Sequence, residues 1–154
     1  MTLNTGDRAP EFLLNDSEGK QVSLKDYAGK TIILYFYPKD STPGCTREAC
    51  DFRDSFERLK TADAVVVGIS ADSVESHRKF SSKYELPFTL LSDPEHKVLE
   101  AYGVWKQKNM MGRKFMGIER STFIIDAQGK ISAVYNKVKV NGHVDEILDF
   151  LKRQ

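Results

Sequence analysis

Two cysteines, Cys45 and Cys50, are the only thiols in this chain, and both fall in the stretch Pro38-Lys-Asp-Ser-Thr-Pro-Gly-Cys-Thr-Arg-Glu-Ala-Cys50. A cysteine becomes a nucleophile when it ionises, and an ordinary thiol with a pKa of about 8.5 is only about 3% ionised at pH 7. Unpaired N–H groups and a partial positive charge at a helix N-terminus favour S⁻, and a neighbouring guanidinium favours it more. The Pro43-Gly44 turn ahead of Cys45 suits such a helix mouth, and the Thr42 hydroxyl can donate to or accept from a small oxygen substrate. Composition and periodicity do not say which arginine would serve Cys45. Other readings compete. A free cysteine is commonly a small buried hydrophobe. A zinc site needs more ligands than the scattered His77, His96 and His143 offer, and four residues separate the two cysteines where a Cys-x-x-Cys redox motif has two.

The elements around these residues follow from hydrophobic periodicity. Thr31-Ile-Ile-Leu-Tyr-Phe-Tyr37 is apolar almost throughout, as a strand covered on both faces is. From Cys45 the period changes: Cys45, Ala49, Phe52, Phe56 and Leu59 recur at steps of four and three, predicting one amphipathic helix with Cys45 in its first turn and on its inward stripe. Arg47, Glu48, Asp51, Asp54 and Glu57 are assigned to its other face, with Arg53 on or near it. Five residues along a helix put Cα atoms about 9 Å apart, whereas a disulfide needs roughly 4.4–6.8 Å. Cys45 and Cys50 can therefore bridge only if the first helical turns unwind.

Further along, Ala64–Ser70 reads as a second buried strand and Ser73–Tyr84 as a helix capped by Asp72 or Ser73. Phe88–Leu91 is a short strand and Glu95–Tyr102 a short helix. Residues 106–117, basic and Met-rich, read as a loop. Ser121–Asp126 and Ile131–Tyr135 flank Ala127-Gln-Gly-Lys130 as a hairpin, and a closing helix starts near Gly142. Phe12–Leu14 and Gln21–Leu24, around a turn cluster, form an N-terminal hairpin. Gly29-Lys30-Thr31 imitates the end of a phosphate loop, but Leu24 stands where that motif needs glycine. This βαβα beginning and ββα ending predict a three-layer α/β sandwich around one mixed sheet, with residues 1–154 forming a single domain.

Lysines and arginines number 23 against 22 acids, so no whole-molecule field draws in nucleic acid or an anionic membrane. Asp7, Arg8 and Glu11 interrupt the N-terminal region and no stretch reaches transmembrane length, which predicts a protein without a signal peptide, in the cytoplasm.

The residues carry a resemblance as well. Pro38-x-x-x-Thr42-x-x-Cys45 matches the active-site signature of peroxiredoxins, and Thr42-Pro-Gly-Cys-Thr-x-Glu-Ala-Cys50 closely resembles the bacterioferritin comigratory protein, or PrxQ, subgroup. The similarity runs from Gly6-x-x-Ala9-Pro10-x-Phe12 through Leu91-Ser92-Asp93 to Gly117-Ile-Glu-Arg-Ser-Thr-Phe-Ile-Ile-Asp126. It implies a thioredoxin-like α/β/α sandwich with an N-terminal β-hairpin extension and an insertion between the second strand and helix of the core. It implies that Cys45 attacks peroxide, that Cys50 resolves the product as an intramolecular disulfide, and that thioredoxin recycles it. Thr42 and Arg120 are the implied catalytic companions, with Pro38, Pro43, Gly44 and Glu48 lining the pocket. No metal or organic cofactor is called for, and intramolecular resolution makes a monomer the expectation. A general thiol-disulfide oxidoreductase on the same fold is the alternative; it would leave Thr42 and Arg120 without a task.

Overall fold

A computed structural model describes residues 2–154. The hairpin of β1 (Leu13–Asp16) and β2 (Gln21–Ser23) leads through a 3-10 turn into β3 (Thr31–Phe36). Then come α1 (Pro43–Asp54), α2 (Phe56–Thr61), β4 (Ala64–Ser70), α3 (Val74–Tyr84), β5 (Thr89–Ser92) and α4 (Lys97–Ala101). A hairpin of β6 (Trp105–Met110) and β7 (Arg113–Ile118), a second hairpin of β8 (Ser121–Ile125) and β9 (Ile131–Tyr135), and α5 (His143–Lys152) complete the chain.

Seven strands form one mixed sheet in the order β2-β1-β5-β4-β3-β8-β9. β3 runs parallel to β4 and antiparallel to β8, which places the most continuous apolar run of the sequence inside the sheet, next to its middle strand. Alternation along β3 then builds two cores. Ile32, Leu34 and Phe36 face Leu99 and Tyr102 from the α4 side. Ile33, Tyr35 and Tyr37 face Cys45, Ala49, Phe52, Leu59, Phe80 and Ile147 from the helices of the other side. Helices thus cover both faces of a mixed sheet, as expected, and α3 with β5 forms the segment inserted between β4 and α4. The N-terminal hairpin extends the sheet by pairing β1 with β5.

Three expectations need correction. The helix beginning at Cys45 is two helices. Ser55, buried at φ −102° and ψ 6°, ends α1 and starts α2, while the apolar stripe continues across the break to Leu59. Glu48 is not on the solvated face but fully buried. Residues 106–117 are not a loop: β6 and β7 pair antiparallel around Met111 (φ 53°) and Gly112 (φ 81°). Two left-handed residues in succession are what a tight hairpin turn requires. Both faces of this hairpin are largely exposed, so its sequence lacks the apolar alternation by which strands are recognised; Met111 at the tip is 97% exposed.

One glycine is a packing requirement. A Cβ on Gly68, opposite Tyr35 in the β3–β4 register, would lie 2.8 Å from the Tyr35 ring and 2.9 Å from Leu90. That ring is also clasped by Phe52, with centroids 4.7 Å apart. Gly68→Ala is expected to lower stability by about 1–3 kcal/mol through overpacking, although alanine is ordinarily the better strand residue. Urea unfolding reads this directly, and an unchanged midpoint would contradict the packing described.

Candidate active site

The site is assembled where β3 hands over to α1. Pro38 ends the strand, and the loop turns at Ser41, whose φ of 65° is unusual for a residue with a side chain. Thr42 is extended (φ −87°, ψ 154°) and stands at the N-cap of α1, followed by Pro43 and Gly44, so that Cys45 completes the first turn. Thr42 does not cap the helix with its side chain. Its hydroxyl instead donates to the Lys39 carbonyl at 2.8 Å. The N–H groups of Gly44 and Cys45 therefore have no acceptor from the helix or from its cap, and they concentrate positive potential beside the sulfur.

Arg120 arrives from the start of β8, the strand beside β3. The register pairs Phe36 with Ser121, so the residue before β8 falls beside the end of β3. Its Nη2 donates to Cys45 Sγ at 3.3 Å and its Nη1 to Glu48 Oε1 at 2.6 Å. Cys45 and Glu48, three residues apart on α1, share one helix face and meet one guanidinium. Cys45 is 2% exposed and Glu48 0%. Gly44 permits this approach, because a Cβ there would sit 3.2 Å from Arg120 Nη2.

The electrostatics are those of two acids competing for one base. Burial pushes the Glu48 carboxyl up to about 7 from 4.5, with Arg120 pulling it down less strongly. Burial opposes the charge on Arg120, yet Glu48 and Cys45 outweigh it and hold the guanidinium above its ordinary value. Glu48 Oε2 and the hydroxyl of Tyr35 are both buried without a hydrogen-bond partner among the described residues. Burial, and after it the Glu48 carboxylate, raise the Tyr35 hydroxyl well above its ordinary value.

Thr42, Cys45, Glu48 and Arg120 thus come together, with Pro38 and Gly44 shaping the backbone around them and Pro43 exposed at the rim. Cys50 does not join them. It lies farther along α1, partly exposed, and burial pushes its thiol up. Both cysteines are free and both helical, which keeps them about 9 Å apart at Cα. Arg47 and Arg53 stay outside the site, bonded to Asn141 and to the Tyr84 carbonyl.

Sequence reasoning missed the polar network behind this loop. Asp40 and His77 are buried and joined at 2.7 Å, and Asp72 approaches them. These three could bring metal-ligating atoms within 4.8 Å of one another. However, both Asp40 oxygens, Asp72 Oδ2 and both His77 ring nitrogens are already engaged in protein hydrogen bonds. His143 is likewise satisfied, between Thr122 and Glu146, and burial lowers its pKa. His96 stacks on Trp105. The sequence signal available was the charge of Asp40 inside an otherwise turn-forming motif.

Comparison with known proteins gives one answer. The AhpC/TSA family profile matches residues 5–134. Peroxiredoxin Bcp of Bacillus subtilis is 55% identical over 152 residues, covering 99% of this chain and 97% of that protein. The putative peroxiredoxin bcp of Coxiella burnetii is 57% identical over 148 residues, covering 96% and 98%. Among solved structures, a Xylella fastidiosa PrxQ mutant superposes with a TM-score of 0.94 at 37% identity, covering 99% of this chain and 98% of the other. A Xanthomonas campestris bacterioferritin comigratory protein, studied for its alkyl peroxide reduction activity, gives 0.88 at 44% identity, covering 92% and 90%. The sulfur held at a helix mouth beside a guanidinium and this breadth of similarity agree: the chain belongs to the AhpC/TSA family and is a peroxiredoxin, a thiol-dependent peroxidase.

Proposed function

We propose that Cys45 is the peroxide-attacking thiol of this peroxidase and Cys50 the thiol that resolves its product. The observation that carries this is the Arg120 Nη2 contact to Cys45 Sγ at 3.3 Å, at the first turn of α1. The Cys45 thiolate attacks one peroxide oxygen, the O–O bond breaks, and water or an alcohol leaves, with sulfur oxidised to sulfenic acid. Arg120 and the Cys45 N–H stabilise charge as that bond stretches. Because the single proton of Thr42 is committed to Lys39, its hydroxyl offers the peroxide lone pairs and accepts from the substrate O–H. The Cys50 thiol then attacks the sulfenic sulfur, releasing water and forming the Cys45–Cys50 disulfide. A dithiol protein of the thioredoxin class returns both thiols by exchange. Hydrogen peroxide and alkyl hydroperoxides both fit this chemistry; the activity of the X. campestris relative supports the second. Resolution within one chain requires no second subunit, so the working unit is a monomer, and a cytoplasmic setting supplies the reductant.

Peroxide-dependent NADPH oxidation coupled through thioredoxin and its reductase tests this scheme. Cys45→Ser is expected to fall to background. Cys50→Ser is expected to consume one equivalent of peroxide without forming the intramolecular disulfide. Full turnover in Cys45→Ser would refute the assignment, and disulfide exchange without peroxide consumption would favour a general oxidoreductase.

Resolution demands a change of shape, since two residues of one helix five positions apart cannot bridge. Amide exchange across residues 42–55 should be faster in the disulfide form than in the dithiol form. Equal protection in both would exclude unwinding of α1.

The carboxyl of Glu48 gives a pH signature. It keeps its proton in the folded protein between about pH 4.5 and 7, where the unfolded chain has lost it. The resulting stability is fully present below 4.5 and lost as pH rises through 7. Relative to Glu48→Gln, the wild type should lose roughly 3 kcal/mol of stability between pH 4.5 and 8. A pH-independent difference in urea titrations would show that Glu48 is ionised throughout.

A further inference from the structure

Asp72, between β4 and α3, takes no part in the chemistry above, yet its carboxylate reaches the loop that carries Thr42. Its Oδ2 accepts from the Asp40 N–H at 2.8 Å and from Ser70 Oγ at 2.7 Å. The planar peptide between Lys39 and Asp40 is therefore gripped at both ends: its N–H by Asp72, and its C=O by the Thr42 hydroxyl at 2.8 Å. The Asp40 side chain locks the same segment from within. Its Oδ1 accepts from the Tyr37 hydroxyl at 2.6 Å, and its Oδ2 accepts from Ser76 Oγ at 2.8 Å and meets His77 Nδ1 at 2.7 Å. Such anchoring is what a loop holding Ser41 at positive φ needs. Helix capping does not explain Asp72, because Ser73 is the cap of α3 and accepts from the Ser76 N–H itself.

We propose that Asp72 is a positioning residue for the peroxidase reaction: by fixing the Lys39–Asp40 peptide it holds the Thr42 hydroxyl as an acceptor aimed at the peroxide. This rests on the reading that Thr42 contacts the substrate. Were that peptide to turn over, the Lys39 carbonyl would swing away and the Thr42 proton would be freed, so the hydroxyl would lose both its direction and its role as acceptor.

The test compares two electrophiles at Cys45 in the reduced protein: hydrogen peroxide, which needs Thr42, and iodoacetamide, which does not. Asp72→Ala is expected to slow the peroxide reaction about tenfold, corresponding to about 1.4 kcal/mol, and to leave alkylation unchanged. Asp72→Asn, whose amide oxygen can accept the same two hydrogen bonds, is expected to restore the wild-type rate. Ser70→Ala, which removes only the hydroxyl steadying Asp72, is expected to show a smaller loss with the same selectivity, and it serves if Asp72→Ala folds poorly. In a Thr42→Val background, Asp72→Ala should add nothing. Equal slowing of both reagents, or a further loss on top of Thr42→Val, would overturn the proposal. So would a slow Thr42→Val beside a wild-type-like Asp72→Ala, which leaves the Thr42 reading intact. An unchanged Thr42→Val overturns both.

Discussion

One guanidinium answers to two acids. Arg120 reaches the Cys45 sulfur with one nitrogen and Glu48 with another; both acids are buried, and the guanidinium side chain is 16% exposed. Removing one member of a buried pair typically costs about 3–5 kcal/mol, because the remaining charge is stranded. Glu48 therefore does more than aim Arg120. In the proposed cycle it keeps the guanidinium partnered when sulfur changes its charge on passing from thiolate to sulfenic acid or disulfide. The carboxyl, poised at about 7, sits near the point where it can carry a full charge or none. With Glu48 in place, the proposed redox cycle at Cys45 never leaves Arg120 without an acidic neighbour.

Everything else aligns this trio. The antiparallel register of β3 and β8 fixes where Arg120 emerges, and the two buried faces of β3 hold that register. Aromatic side chains beneath the site, Tyr35 against Phe52 and Tyr37, make its floor stiff. Behind the loop, the Asp40–His77 pair and Asp72 hold the backbone that the helix mouth depends on. The catalytic face is short in sequence but supported by β3, β8, α3 and the turn between β4 and α3.

The position of Cys45 was legible because its cues are local: a Pro/Gly turn followed by apolar residues at helical spacing. The mixed sheet was legible for the same reason, since β3 and β4 announce themselves by composition. Glu48 was misplaced on the solvated face although it stands three residues after Cys45, well within the inward stripe. Its charge argued for water, and what brings it inside is Arg120, 72 residues away. No local period contains such a partner. Asp40, Asp72 and His77 were lost likewise, because a loop, a strand end and a helix contribute one member each. The β6–β7 hairpin failed for the opposite reason: with neither face well buried, its residues carry no alternation to read.

The break at Ser55 gives the helical side of the site a boundary. α1 and α2 share one apolar stripe interrupted at Ser55, and Leu59 is anchored in the core from α2. A helix running unbroken from Pro43 to Thr61 would be one cooperative unit, so that loosening its start would disturb its hold on the sheet beneath. Divided at Ser55, the chain has a firebreak. In the proposed resolution step the first turns of α1 lose their hydrogen-bond ladder while Phe52 and the short helix beyond stay packed on the sheet. The segment that moves in this proposed step is bounded on one side by the anchored Asp40 and on the other by the interruption at Ser55, which confines the change to a small part of the molecule.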